Sequence, residues 1–156
     1  MDTGFEAFFA MATRVSGLPV SGICLTQPES DSLRHYCNRK APEQLSKNDP
    51  IVRIGMAAVK VMRIEDASRG ESVASQLVMG APYLKSFILQ KITHPETRLR
   101  LGFTYFATST AHKIPQSGIE ALLAMNQWVA HIAAHQQNKD IIEDQQAARV
   151  GFRAWA

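Results

Sequence analysis

Cysteine is scarce in this chain: Cys24 and Cys37 are the only two among 156 residues. No CxxC pair and no Cys/His quartet occurs, which excludes a structural zinc site of the usual kind. One disulfide is arithmetically possible, but no export signal accompanies it, so both thiols are expected to be reduced. Asp2 and Glu6 stand where a signal peptide would be basic, and no small-residue cleavage site follows. No apolar run approaches the length of a membrane span. The expectation is a cytoplasmic protein without membrane insertion. An excess of one charge is missing too. Lys and Arg number 17 against 14 Asp and Glu, a net charge of +3 spread along the chain. Nucleic-acid binders gather their basic residues in a patch. The nearest approach here, Lys85, Lys91, Arg98 and Arg100, reads as a hairpin edge kept soluble by charge, so no nucleic-acid partner is expected.

Motifs of catalysis are also absent. Ser109, His112 and Asp66 can be assembled into a triad on paper, but no G-x-S-x-G elbow supports one. His131 and His135 are four apart on a helical segment, yet Ile132 stands where an HExxH motif needs glutamate. They read as a solvent-facing or interface pair, and no metal or cofactor is named by the sequence.

What is present is a globular composition, 46% hydrophobic and 20% charged, at a length that suits one domain. Phe5, Phe8, Phe9, Ala12 and Val15 share one helical face, and Gly17 with Pro19 stops that helix. Val20 to Thr26 reads as a strand. Ser32 to Cys37 reads as a second one, with Leu33, His35 and Cys37 alternating against Arg34 and Tyr36. The polar, proline-containing stretch from Asn38 to Pro50 reads as a loop. Asp49-Pro50 then enters a short helix with Ile51, Ile54, Ala57 and Ala58. Val59 to Ile64 is a strand, Glu65 to Gly70 a turn, and Glu71 to Met79 a further helix ended by Gly80 and Pro82.

The strongest pattern lies between Tyr83 and Gln136. Tyr83 to Ile92 is a strand apolar on both faces, Thr93-His94-Pro95-Glu96-Thr97 a turn, and Arg98 to Thr108 the return strand. In the return strand Leu99, Leu101, Phe103, Tyr105 and Ala107 occupy one face by period 2. Ser117-Gly118-Ile119-Glu120 has the form of a capping box and opens a helix to Gln136, whose core stripe includes Ile119, Leu122, Leu123, Val129, Ile132 and Ala133. The periodicity falters at Gln137-Asn138-Lys139, and a second amphipathic segment runs from Asp140 to Trp155. Residues 1–138 therefore read as one domain and 139–156 as a helical tail or linker.

This order resembles that of the GAF domain, a small-molecule-sensing and signalling module. The segments that carry the resemblance are Gly17-Leu18-Pro19-Val20 entering the first strand, the Val61 to Ala67 strand leaving through Asp66-Ala67, Leu84 to Leu89, and Leu101 to Phe106. Together they span about Phe5 to His135. The resemblance implies a PAS-related α+β fold: a central antiparallel sheet with the N- and C-terminal helices on one face and a ligand pocket on the other. It further implies a non-catalytic sensory or regulatory domain that binds a small ligand or a partner and signals through its terminal helices as a homodimer. Arg63, Tyr83, Phe87 and Tyr105 are the expected pocket residues, the arginine holding an anionic group by paired hydrogen bonds. Phe5, Phe8, Phe9, Ile119, Leu122 and Trp155 are assigned to the dimer and output helices. The alternatives are a ligand-free dimerisation module and an enzyme like free methionine-R-sulfoxide reductase. The second would need attacking and resolving thiols, and Cys24 and Cys37 lie in the first hairpin instead of that enzyme's middle and late positions.

Overall fold

A computed structural model describes residues 4–27, 30–58, 61–64, 85–109 and 114–155, with the side chains of 150–155 left aside. Helix α1 (Phe5–Ser16) forms where the apolar residues recur on one face. It ends at Gly17, whose φ of 75° lets its N–H return to the Thr13 carbonyl at 2.8 Å. Strands β1 (Val20–Thr26), β2 (Ser32–Cys37) and β3 (Lys40–Ser46) follow. Helix α2 (Pro50–Ala57) starts where the Asp49 carboxylate accepts the Ile51 N–H, with proline in the first turn. The remaining described elements are β4 (Val61–Ile64), β5 (Ser86–Thr93), β6 (Arg100–Thr108), α3 (Gln116–Ala124) and α4 (Asn126–Trp155).

The six strands form one antiparallel sheet in the order β3-β2-β1-β6-β5-β4. Helices α1, α3 and α4 cover one face, packing Phe5, Phe8, Phe9, Ile119, Leu122 and Val129 onto Ile23, Leu25, Ile88, Ile92 and Phe106. Helix α2 covers the other, with Val52 and Ile54 against Cys24, Phe87, Leu89, Phe103 and Tyr105. Gly55 of α2 permits this approach, since a Cβ there would collide with the Phe103 ring. The helix is then tied down by Arg100, whose guanidinium donates to the Gly55 and Met56 carbonyls, both at 2.8 Å. This is the expected α+β architecture, with the N- and C-terminal helices sharing a face.

The departures from expectation are local. Residues 40–46, read as loop, form strand β3. Its Pro42 and polar composition suit an edge, where a missing N–H costs no ladder bond and charge deters pairing with other chains. The return strand does not keep one face. Ile92 pairs with Gly102 and Thr93 with Arg100, so Leu101 is the extra residue of a bulge and turns to the three-helix face, while Phe103 and Tyr105 face α2. Leu99 precedes the strand and is exposed. The capping box does not form. Helix α3 begins after Pro115, whose fixed φ of −59° and carbonyl, accepting the Gly118 and Ile119 N–H groups, start the helix before Ser117 can cap it.

The helix expected from Ser117 to Gln136 is two helices meeting at Met125, and α4 continues without interruption through residues 137–139. The helix read over Glu71 to Met79, the Asp66-Ala67 turn and Tyr83 lie outside the described residues. Among the described residues, no helix is long and apolar enough to cross a membrane.

Candidate functional site

On the α2 face, a line of hydrogen-bonded polar side chains crosses four neighbouring strands. It begins with Gly22 of β1, paired with Tyr105 of β6. Without a side chain at position 22, the Tyr105 ring can lie across β1, where any Cβ would strike it. The phenol thereby reaches β2, and its oxygen sits 2.7 Å from His35 Nε2. His35 faces Cys24 on one side and Glu43 of β3 on the other. Glu43 Oε1 lies 3.1 Å from His35 Nδ1 and 2.6 Å from Lys40 Nζ. The ionised carboxylate is an acceptor only, so Nδ1 carries the proton and donates it, leaving Nε2 to accept the Tyr105 O–H.

Burial governs the electrostatics. His35 and Tyr105 are 5% and 4% exposed. Desolvation holds the His35 imidazole below its ordinary pKa, outweighing the pull of Glu43. It likewise pushes the Tyr105 phenol well up. Glu43, half-exposed, is held below the carboxylate range first by its bond to Lys40 and then by His35, and the Lys40 ammonium is raised by the same contact. The site is thus a neutral imidazole–phenol pair set in an apolar wall of Phe87, Leu89 and Phe103, with an ion pair at its rim.

A pH dependence follows from His35. The unfolded chain binds a proton near the ordinary value of 6.5, whereas the folded chain resists it. Stability therefore falls as pH drops below that value, by at most about 1.4 kcal/mol per pH unit from this group. Denaturant titrations at successive pH values should show this slope, and His35→Gln should flatten it. An unchanged slope in that variant would show that His35 titrates normally in the fold.

The expected pocket residues separate. Phe87 and Tyr105 meet in the α2-face core. Arg63 does not join them. It is opposite Ile88, a residue of the three-helix face, while its neighbours Met62 and Ile64 point to α2. Tyr83 lies outside the described residues. Of the helix residues, Phe5, Phe8, Phe9, Ile119 and Leu122 are all buried within the chain's own core, so these side chains are not an exposed interface. Among the described side chains of those helices, the large apolar residues that are exposed are Met11, Leu123, Trp128 and Ile142. Trp155 is the last residue of α4.

His131 and His135 are exposed and border a groove with His94. Among the described residues, no three His, Cys, Asp or Glu side chains could hold a metal together. Cys24 pairs with His35 and Cys37 with Gly22, so the two thiols are diagonal neighbours, and both are free. Such positions are about 7–8 Å apart, too far for a disulfide without backbone movement. Burial raises the Cys24 thiol far from thiolate formation.

His35 and Glu43 were not among the expected site residues. The alternation in β2 placed His35 beside Leu33 on one face, which was the available signal. Glu43 lay in the stretch read as loop.

No protein-family model matches the chain, and no curated protein resembles it in sequence. Solved structures do resemble it. The GAF domain of an Acinetobacter phosphoenolpyruvate-protein phosphotransferase aligns with a TM-score of 0.65 at 12% identity, over 85% of this chain and 81% of that one. The GAF domain of a two-component sensor histidine kinase from Bacillus halodurans aligns at 0.63 and 9% identity, over 88% and 96%. Free methionine-R-sulfoxide reductase from Neisseria meningitidis, in complex with its substrate, aligns at 0.52 and 11% identity, over 90% and 77%. Identities this low speak to the fold alone. With the strand order and the shared face of the terminal helices, they show that this chain has a GAF-like α+β fold.

Proposed function

We propose that this chain is a non-catalytic sensory or regulatory domain that takes a small molecule on its α2 face and passes the change to its terminal helices, working as a homodimer. The observation that carries the reading is the His35–Tyr105 pair: two neutral, directed polar groups buried in an otherwise apolar wall. Ligand sites are built this way, with apolar lining for affinity and a few fixed polar groups for orientation. The GAF domains of a sensor kinase and of a phosphotransferase among the similar structures support a regulatory role. The exposed Met11, Leu123 and Trp128 on α1, α3 and α4 supply an apolar edge for a second copy. The sulfoxide-reductase alternative is disfavoured by the buried, high-pKa thiol of Cys24, because the thiolate is the nucleophile in that chemistry.

Native mass spectrometry of the purified protein tests the proposal. The expected result is a dimer with part of the population carrying a small-molecule adduct, and a smaller adduct fraction in Tyr105→Phe. A clean dimer whose melting temperature is unmoved by a metabolite panel would sink the sensing role and favour a dimerisation module. A monomer would overturn the homodimer.

A further inference from the structure

Strand β2 faces both ways, and on its second face, where Tyr36 also packs against Phe5, it reaches a buried carboxylate. His35 points to α2, so the flanking Arg34 and Tyr36 point to the three-helix face. There the Tyr36 hydroxyl lies 2.9 and 2.8 Å from the two oxygens of Asp140 in α4. Arg34 Nη1 is 3.2 Å from Oδ1. Gln136 Nε2 completes the cluster, donating to Asp140 Oδ1 at 2.9 Å and to the Tyr36 oxygen at 3.2 Å. Asp140 is 3% exposed, and from residue 141 to 149 no further residue is buried. It is thus the last buried point of α4 among the residues whose side chains are described. Over residues 141–149 the helix runs on without a buried residue to anchor it.

We propose that β2 is the transmission element of this domain, with His35 reading the α2 face and Arg34 and Tyr36 holding or releasing α4 at Asp140. The proposal rests on the reading that the α2 face is where a ligand acts. Three features suit the strand to the task. A buried carboxylate is tolerated only while its partners stay in place, so the Asp140 attachment is closer to a latch than to a graded contact. The β2–β3 ladder shifts register between His35 and Cys37, where Ala41 and Pro42 of β3 stand against Tyr36 alone, and a bulge of this kind interrupts the ladder that ties β2 to its outer neighbour. A cavity of about 250 Å³, bordered by Phe5, Phe9, Arg34, Tyr36, Gln136 and Asp140, leaves room for the latch side chains to move. In a close-packed interior, such a move would otherwise be blocked. A ligand that engages the Tyr105 hydroxyl or turns the His35 ring would shift β2 and pull Tyr36 from Asp140.

Amide hydrogen exchange of the full chain, with no ligand added, tests this. Asp140→Asn, which weakens the latch directly, is expected to speed exchange of the amides of residues 136–142 by about tenfold, with β5 and β6 unchanged. Tyr105→Phe removes one hydroxyl on the far face and is expected to speed the same amides by about threefold. His35→Gln should act in the same direction. Combining Tyr105→Phe with Asp140→Asn should give clearly less than the product of the two effects, because both act through one latch. Unchanged α4 exchange in Tyr105→Phe and His35→Gln, or fully multiplicative effects, would overturn the proposal. Since no ligand enters the experiment, failure to find one would overturn the sensing role and leave this result standing.

Discussion

Gly102→Ala is expected to lower stability by on the order of 4 kcal/mol, a large share of the roughly 5–15 kcal/mol that holds such a domain together. Gly102 has a φ of 152°, a conformation that costs any residue with a Cβ about 1–3 kcal/mol. Its surroundings add to this. A Cβ at this position would be driven into the carbonyl of Cys24 and would sit 3.2 Å from the Leu25 Cα. These are backbone atoms of β1, and they cannot rotate aside as a side-chain tip could. The only relief is to part β1 from β6, at the centre of the six-stranded sheet.

Gly17 supplies the comparison. It also has a positive φ, 75°, but nothing lies within 4 Å of its Cβ position, so Gly17→Ala should cost only about 1 kcal/mol. Urea midpoints of the two variants decide the matter. A Gly102→Ala loss no greater than that of Gly17→Ala would show that the bulge is not held by the glycine.

The same glycine explains where the fold was readable in the sequence and where it was not. Patterns of period 3.6 and period 2 report side-chain direction only while the backbone stays regular. Helix α1 and strands β1 and β2 are regular, and their boundaries follow from Gly17, Pro19 and the alternation of Leu33 and His35. At Leu101 the bulge inserts one residue, so Leu101 and Phe103 change from one face to two. Nothing in their apolar character announces this. Strand β3 was hidden for a different reason. An edge strand buries little, and Lys40 to Ser46 shows polar residues and a proline where a central strand would show Val or Ile. The α3 start was misplaced because a serine-to-glutamate spacing can look like a cap while a neighbouring proline has already begun the helix.

The site was legible only in part, and for the same physical reason. Tyr105 and Phe87 belong to central strands with clear faces, so their direction could be inferred. Arg63 lies on the four-residue edge strand β4, with apolar residues at positions 61, 62 and 64, so the pattern assigned it no face. The pair register with β5 puts it opposite Ile88, away from Phe87. The central feature, Tyr105 reaching His35 across Gly22, joins residues 70 positions apart. It depends on which strands adjoin, and a single sequence carries that topology only through a family resemblance. The Asp140 cluster joins residues 104 and 106 apart and was beyond reach by the same rule.

Phe8→Ala is expected to cost about 4 kcal/mol, the range for removing a fully buried aromatic ring. Phe8 is 1% exposed and meets Phe9, Phe106 and Trp128 at ring-centroid distances of 6.0, 5.9 and 5.5 Å. It therefore joins α1 to the sheet and to α4 at once, and its loss leaves a cavity between three elements that cannot all close inward. Met11 is one turn further along α1 and 41% exposed, so Met11→Ala should change the stability of one chain by no more than about 0.5 kcal/mol. Denaturation measured across a range of protein concentrations separates the two possible roles of this helix. If Phe8 holds the chain's own core, the loss is the same at every concentration. If it sat instead at the contact between two copies, the loss would be largest where the dimer is populated and would fade as the protein was diluted to monomer. Position 8 should show the first behaviour, whereas Met11, on the exposed edge of the proposed homodimer, should show the second.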